Sequence, residues 1–283
     1  MKTRKSMMLA VLSLGMLASC GQNTSSAGYV DNYKNLKGFD IDLAKAACKE
    51  LDITPVFQEI VWEQKETELS AKQIDLIWNG LTITDERKES LEISLPYMSN
   101  TQALVVKKDF ADDSITAEDN YTIAFEQGSA GEDAFNNTDM FKGSTSAGVT
   151  AQVTALTEVL SGTSDIAIID SIMAGYYLTD TSSYGSKLKI LSGYDFETEN
   201  YGIAGRKGDT ALIAKLNETI ETLYNNGTTN SIADTYGLKN DLIKPDTYTK
   251  FDAVEDKSSW EYIQNKGSII IGYTVFAPIA FEA

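Results

Sequence analysis

The strongest constraint on this 283-residue chain is a pattern that occurs twice: a helix, a small polar turn, an aspartate, then a short apolar strand. ELSAKQIDLIWNG (Glu68 to Gly80) and EVLSGTSDIAIIDS (Glu158 to Ser171) both follow it. Counted from Asp75 and Asp165, Gly80 and Asp170 fall at equivalent strand ends. Short, unbroken apolar runs suit strands buried on both faces, as in parallel sheets covered by helices. Two similar lobes with facing strand ends imply a cleft, and ligands of open α/β sheets sit at strand carboxyl ends.

The rest of the chain keeps the same rhythm. A helix opens at Gly38-Phe39-Asp40-Ile41-Asp42 and runs to about Leu51, with Ile41, Ala44, Cys48 and Leu51 at helical spacing. Strands are predicted at 53–60, 74–79, 102–107, 121–125, 165–170, 187–191, 200–204 and 268–273. Helices are predicted at about 64–71, 85–91, from 130, 151–160, 171–178, 210–224, 229–236 and 260–265. Ser129 and Glu132 have capping-box spacing, and Gly162 and Gly237 suit helix stops. This alternation argues for α/β with largely parallel sheets.

One stretch concentrates the chemistry. In IDLIWNGLTITDER (Ile74 to Arg87) a strand ends near Asn79-Gly80, Thr84 suits a helix N-cap, and Asp85 and Glu86 fill the first turn. A strand end, a glycine that bares backbone, a hydroxyl and an arginine together can grip a small anion. The same residues also fit a plain strand-to-helix turn with a surface arginine.

Composition excludes several functions. The chain has no histidine, which removes the usual general base, the usual zinc ligand and every Ser-His or Cys-His nucleophile pair. Its formal charge of −17 argues against a nucleic-acid partner. Residues 1–19 read as a signal peptide: Lys2, Arg4 and Lys5 precede the apolar run Met7 to Leu17, which is too short to span a bilayer comfortably. Losing that segment removes three positive charges and no negative ones. Leu17-Ala18-Ser19-Cys20 resembles a bacterial lipobox, which implies lipidation at Cys20 and a lipid-attached tether over 20–34. Cys48 reads as a buried thiol rather than a disulfide partner. The tail is unusual: polar 244–258 reads as a linker, while apolar SIIIGYTVFAPIAFEA suits insertion in a core.

These motifs together resemble the amino-acid-binding lipoproteins of ABC importers, the type II two-lobe solute-binding proteins. GFDIDLA (Gly38 to Ala44), IDLIWNGLTITDER, LPY (Leu95 to Tyr97), QGSAGEDA (Gln127 to Ala134), DIAIID (Asp165 to Asp170) and NYGIAGRKGD (Asn200 to Asp209) carry the resemblance. It implies a two-lobe α/β fold with mixed, mostly parallel sheets and a hinge of two crossovers near 101–105 and 200–204. Lobe 1 is expected at 35–104 and 201–283, and lobe 2 at 105–200. In the family the strand resembling IIIGYTVFAPIAFEA precedes GFDIDLA; here it comes last. A circular permutation joined through 244–258 explains this order, and so does a fragment of a tandem protein.

The resemblance also implies a site. Arg87, Thr82 and the Ser129-Ala130 turn match positions that hold a ligand carboxylate. The Gly80 carbonyl, the Thr82 hydroxyl and Asp170 match those that receive an ammonium. Trp62 and Phe276 match aromatic walls, Asn79 and Gln127 lie at ligand-facing positions, and Tyr273 stands where relatives often carry an acid. Taken singly, Trp62 and Phe276 also suit core packing, and Asp170 a helix N-cap. No cofactor or metal and no catalysis is implied. The implied partners are a small amino acid or a derivative such as cystine, ABC permease subunits, and the cell membrane through Cys20, the protein itself being a monomer. Two alternatives share the fold: a ligand sensor for a receptor, and a dehydratase of carboxylated cyclohexadienyl substrates using Glu126 or Glu132.

Overall fold

A computed structural model describes residues 33–111, 115–179 and 181–282. The expected signal peptide and the expected lipidation site at Cys20 lie outside the described residues. The first lobe opens with β1 (Leu36–Lys37), α1 (Phe39–Glu50), β2 (Thr54–Glu59), α2 (Lys65–Ser70) and β3 (Leu76–Thr82). It continues through α3 (Asp85–Ser90), β4 (Leu91–Ile93) and β5 (Met98–Asn100). The second lobe contains β6 (Gln102–Lys107), β7 (Thr122–Glu126), α4 (Ala130–Asn137) and β8 (Thr145–Val149). To these it adds α5 (Gln152–Ser161), β9 (Ile166–Asp170), α6 (Ser171–Tyr177) and β10 (Leu188–Ile190). The chain returns through β11 (Glu199–Arg206) to α7 (Thr210–Asn225), α8 (Thr228–Tyr236), α9 (Ser258–Lys266), β12 (Ser268–Tyr273) and β13 (Phe281–Glu282).

The repeated aspartates fasten two sheets in the same way. The Asp75 amide donates to the Ile270 carbonyl at 2.7 Å, and its carboxylate accepts from the Ile270 amide at 2.8 Å. Asp165 does the same with Thr122, both bonds at 2.8 Å. Each aspartate thereby pins its strand to the start of a parallel neighbour. Leu76 then lies opposite Ile271, and Ile166 opposite Ile123. Counting on from these pairs, Gly80 and Asp170 are equivalent positions, and so, one step earlier on the neighbouring segments, are Thr274 and Glu126; β9 ends at Asp170, whereas β3 runs past the expected end at Asn79-Gly80 to Thr82.

The first-lobe sheet runs β2-β12-β3-β11-β4 with β5 also on β11; the second runs β10-β6-β9-β7-β8. Parallel pairing is confined to β2-β12-β3 and β8-β7-β9. The expected predominance of parallel strands therefore holds only in one half of each sheet, the half that ends at the β2 or β8 edge. β6 and β11, the strands by which the chain enters and leaves the second lobe, run antiparallel to their neighbours. The changeover falls at Thr101 on the outward path, ahead of the expected boundary at 104, because Gln102 to Val106 already pair with β9. On the return path Glu199 to Tyr201 already pair with β5, so β11 enters the first lobe slightly ahead of 201.

The apolar tail is core, as its composition required. β12 lies between β2 and β3, with Ile269 and Ile271 fully buried. Residues 276–280 then cover the start of α1: the Phe39 amide donates to the Pro278 carbonyl (2.9 Å) and the Asp40 amide to that of Ile279 (3.1 Å). β13 closes against β1, with Leu36 opposite Glu282. Between 244 and 258 the only regular structure before α9 is one 3₁₀ turn, Phe251–Ala253. Strands β4, β5 and β8 were not expected; β4 and β5 are three residues each and flank Pro96, and β8 (TSAGV) has almost no apolar pattern. Cys48 is a free, buried thiol, pushed up to about 12 by burial.

Candidate functional site

Near the end of β3, Gly80 has φ +62°, a left-handed conformation that favours glycine. A β-carbon there would lie 2.8 Å from Phe276 Cε1 and 3.2 Å from Tyr201 Cε2. The Gly80 amide donates to Asp40 Oδ2 at 2.7 Å, and the same oxygen accepts from the Tyr97 hydroxyl at 2.8 Å. This assigns a physical task to the GFDIDLA motif: its aspartate reaches across from α1 and fixes the strand end. Burial pushes the Asp40 carboxyl up to about 7, opposed by the bonds from Tyr97 and Gly80. The Asn79 side-chain oxygen accepts from the Thr274 amide (3.1 Å), while its buried Nδ2 has no partner among the described residues.

The Thr84 hydroxyl caps α3, accepting from the Arg87 amide at 3.1 Å, and thereby aims the Arg87 side chain back toward β3. Its guanidinium donates to the Thr82 carbonyl (2.7 Å) and, across the cleft, to the Gly128 carbonyl (3.3 Å). Lys65 adds a second link between the lobes, donating to the Gly128 carbonyl at 2.9 Å and the Trp62 carbonyl at 3.3 Å. Its ammonium lies 4.9 Å from the Trp62 ring centroid. Burial, then the neighbouring Arg87 charge, pulls the Lys65 amine down to about 8. These contacts define a closed arrangement of the lobes.

On the facing lobe Ser129 caps α4, its Oγ accepting from the Gly131 and Glu132 amides, while Glu132 reaches one residue past the expected capping-box partner and accepts from the Gly128 amide at 2.6 Å. Ala130, at the first position of α4, thus keeps its amide outside the helical ladder. Asp170 ends β9 fully buried, its Oδ1 accepting from Asn100 and from Gln102 (2.8 Å), its Oδ2 from Gln152. Burial raises its carboxyl, and these donors oppose the shift. Gln102 also donates to Glu199 (2.9 Å), which accepts the Thr82 hydroxyl at 2.8 Å. With its proton committed to Glu199, the Thr82 hydroxyl has only lone pairs to offer a ligand. Glu199 is pushed up to about 7 by burial and then by Asp170.

Several of these groups line one narrow cavity between the closed lobes, of about 10 Å³. Nine of the expected residues meet there: Trp62, Asn79, Gly80, Thr82, Arg87, Ser129, Ala130, Asp170 and Phe276. Gln127 and Tyr273 do not line it. Gln127 instead lies against Gly148, and Tyr273 packs edge-on to Phe57 beside a separate hollow. Strand parity explains both, since successive side chains leave opposite faces and the inward positions are Glu126 and Thr274. Glu126, Thr274 and Gln152 complete the lining and were not anticipated as binding residues. For Glu126 the signal was available: TIAFE ends in a carboxylate as IAIID does. A wider cleft of about 800 Å³ lies beside α6 and Tyr236, but its wall is tyrosine-rich and lacks convergent buried charges. The smaller cavity is the stronger candidate because the half-buried Arg87 and two buried carboxylates, Glu126 and Asp170, line it together.

Two lobes joined by paired crossovers, with polar groups from both converging in the cleft, define a solute-binding protein. The chain belongs to the bacterial extracellular solute-binding proteins, family 3, which match residues 19–239. It is 29% identical over 234 residues to a probable histidine-binding protein of Neisseria gonorrhoeae, covering 74% of this chain and 78% of that one. It is also 29% identical over 209 residues to an L-arginine-binding protein of Pseudomonas aeruginosa, covering 71% and 79%. Among solved structures, an ABC uptake transporter substrate-binding protein from Streptococcus pneumoniae with bound histidine has a TM-score of 0.63. That protein is 33% identical, over 75% of this chain and 87% of its own. Among the described residues no helix is long and apolar enough to cross a membrane.

Proposed function

We propose that this protein captures a polar amino acid between its lobes and delivers it to an ABC importer. The observation that carries the reading is that Arg87 from one lobe and Asp170 from the other line the same cleft. A guanidinium gives charge-assisted, bidentate bonds to an α-carboxylate, aided by the Ala130 amide at a helix start. The α-ammonium fits the Gly80 carbonyl, the Thr82 hydroxyl and Asp170. Trp62 and Phe276 form apolar walls, and Asn79 has a free amide for the side chain. Relatives that bind histidine and arginine support the class. Arg87 and Lys65 both reach Gly128 in the facing lobe, so closure over a ligand needs no chemistry, only preference for the closed state.

A dehydratase reading receives little support: Glu132 is held in the α4 cap, and Glu126 has no partner base. We further propose that Cys20 carries a lipid anchor outside the cytoplasm, tested by membrane release of Cys20→Ala. The order of elements is read as a circular permutation, supported by the central place of β12 and the β1–β13 pairing. A thermal-shift screen of amino acids, dipeptides and cystine tests the main proposal. A shift with at least one polar amino acid is expected, and none with any of them contradicts it.

A further inference from the structure

Beyond the pair of groups that a zwitterion needs, the cavity holds one carboxylate in excess. Arg87 is the only cation lining it among the described residues, and Asp170 answers an α-ammonium. Glu126 remains. It ends β7, is 4% exposed, and one of its oxygens has no hydrogen-bond partner among the described residues. Lys65, the cation whose charge acts on Glu126, is committed to the carbonyls of Trp62 and Gly128. A buried carboxylate with an open oxygen is costly unless something else satisfies it. The wall beside it includes the Trp62 ring, whose face suits a flat cation.

We propose that Glu126 receives a cationic side chain, so that the site selects a basic amino acid over neutral ones. The inference rests on the amino-acid reading of the cavity and adds the side-chain class. Asp170 on β9 and Glu199 on β11 stand on the acidic side, Lys65 on α2 and Arg87 on α3 on the basic side, with neutral Gln152 from α5 alongside. Burial, then the nearby Asp170 charge, pushes Glu126 up to about 8, against Lys65 and a Gln152 bond. Without ligand the carboxyl therefore holds a proton at neutral pH, and an arriving cation displaces it to solvent. Basic-ligand binding is then accompanied by proton release at pH 7.

Calorimetry on the full chain with L-arginine, L-lysine and L-citrulline tests this, citrulline being the neutral shape-match of arginine. Repeating the arginine titration in buffers of different ionisation enthalpy counts the released protons. The expected result is arginine at least roughly tenfold to a hundredfold tighter than citrulline, the range of one lost charged hydrogen bond. Glu126→Gln should collapse that ratio toward unity and abolish proton release. The inference is overturned if wild-type protein prefers citrulline or another neutral amino acid, or if Glu126→Gln keeps the full ratio. Should the variant fail to fold, the wild-type ratio and proton count decide alone. Absence of binding by every amino acid would instead overturn the underlying site.

Discussion

Gly80→Ala tests how the strand end is built. At φ +62° an L-residue meets backbone crowding of about 1–2 kcal/mol. The new methyl would sit 2.8 Å from Phe276 Cε1 and 3.2 Å from Tyr201 Cε2, in a wall closed behind by β12. Forcing an extra carbon into packed surroundings costs about 1–3 kcal/mol. Reduced freedom of the unfolded chain returns about 0.4–1 kcal/mol. The net expectation is a loss of about 2–4 kcal/mol, read as a lower urea midpoint at unchanged slope. Amino-acid affinity should fall as well, because the Gly80 carbonyl and the Phe276 ring shift together. Adding Phe276→Leu removes the clashing ring edge but leaves the backbone term. The double-mutant cycle should therefore show a favourable coupling of about 1 kcal/mol or more. A loss below about 0.5 kcal/mol with unchanged binding would refute this picture of the strand end.

Two further perturbations address the anchors behind the site. Asp40 holds its proton to about 7 when folded against 3.8 as a free side chain, so the native state binds more protons between those values. Its contribution is complete at low pH and is lost as pH rises through 7, by up to about 4 kcal/mol at 1.36 per unit. Asp40→Asn should flatten urea stability between pH 4.5 and 7.5; curves parallel to wild type would contradict the assignment. Deleting residues 268–282 removes the strand between β2 and β3 and should leave protein without cooperative unfolding. A soluble, ligand-binding truncation would show that β12 is dispensable.

Much of this architecture was legible because the same local solution is used twice. Asp75 and Asp165 sit at matching places in sequence because each fastens a strand to a parallel neighbour through the same two bonds. Gly80 and Asp170 followed from that register, and Thr84 and Ser129 from capping chemistry. What stayed hidden depends on partners distant in the chain. The Thr82–Glu199–Gln102–Asp170 network joins four elements, and no local spacing encodes it. Gln127 and Tyr273 lie one step of strand parity from the cavity lining, where Glu126 and Thr274 stand. The same step left Glu126 read only as a candidate acid. β8 escaped notice because its polar, glycine-containing sequence lies at a sheet edge.

The central claim, a two-lobe amino-acid site anchored on Arg87, is tested most directly by calorimetry of Arg87→Ala with whichever amino acid stabilises the wild type. Arg87 caps no helix and pairs with no buried carboxylate among the described residues, so the variant should unfold within about 0.5 kcal/mol of wild type, as surface-type substitutions do. Its binding should be lost, the α-carboxylate having no other cation within the cavity. Wild-type affinity in a folded Arg87→Ala variant would contradict the account.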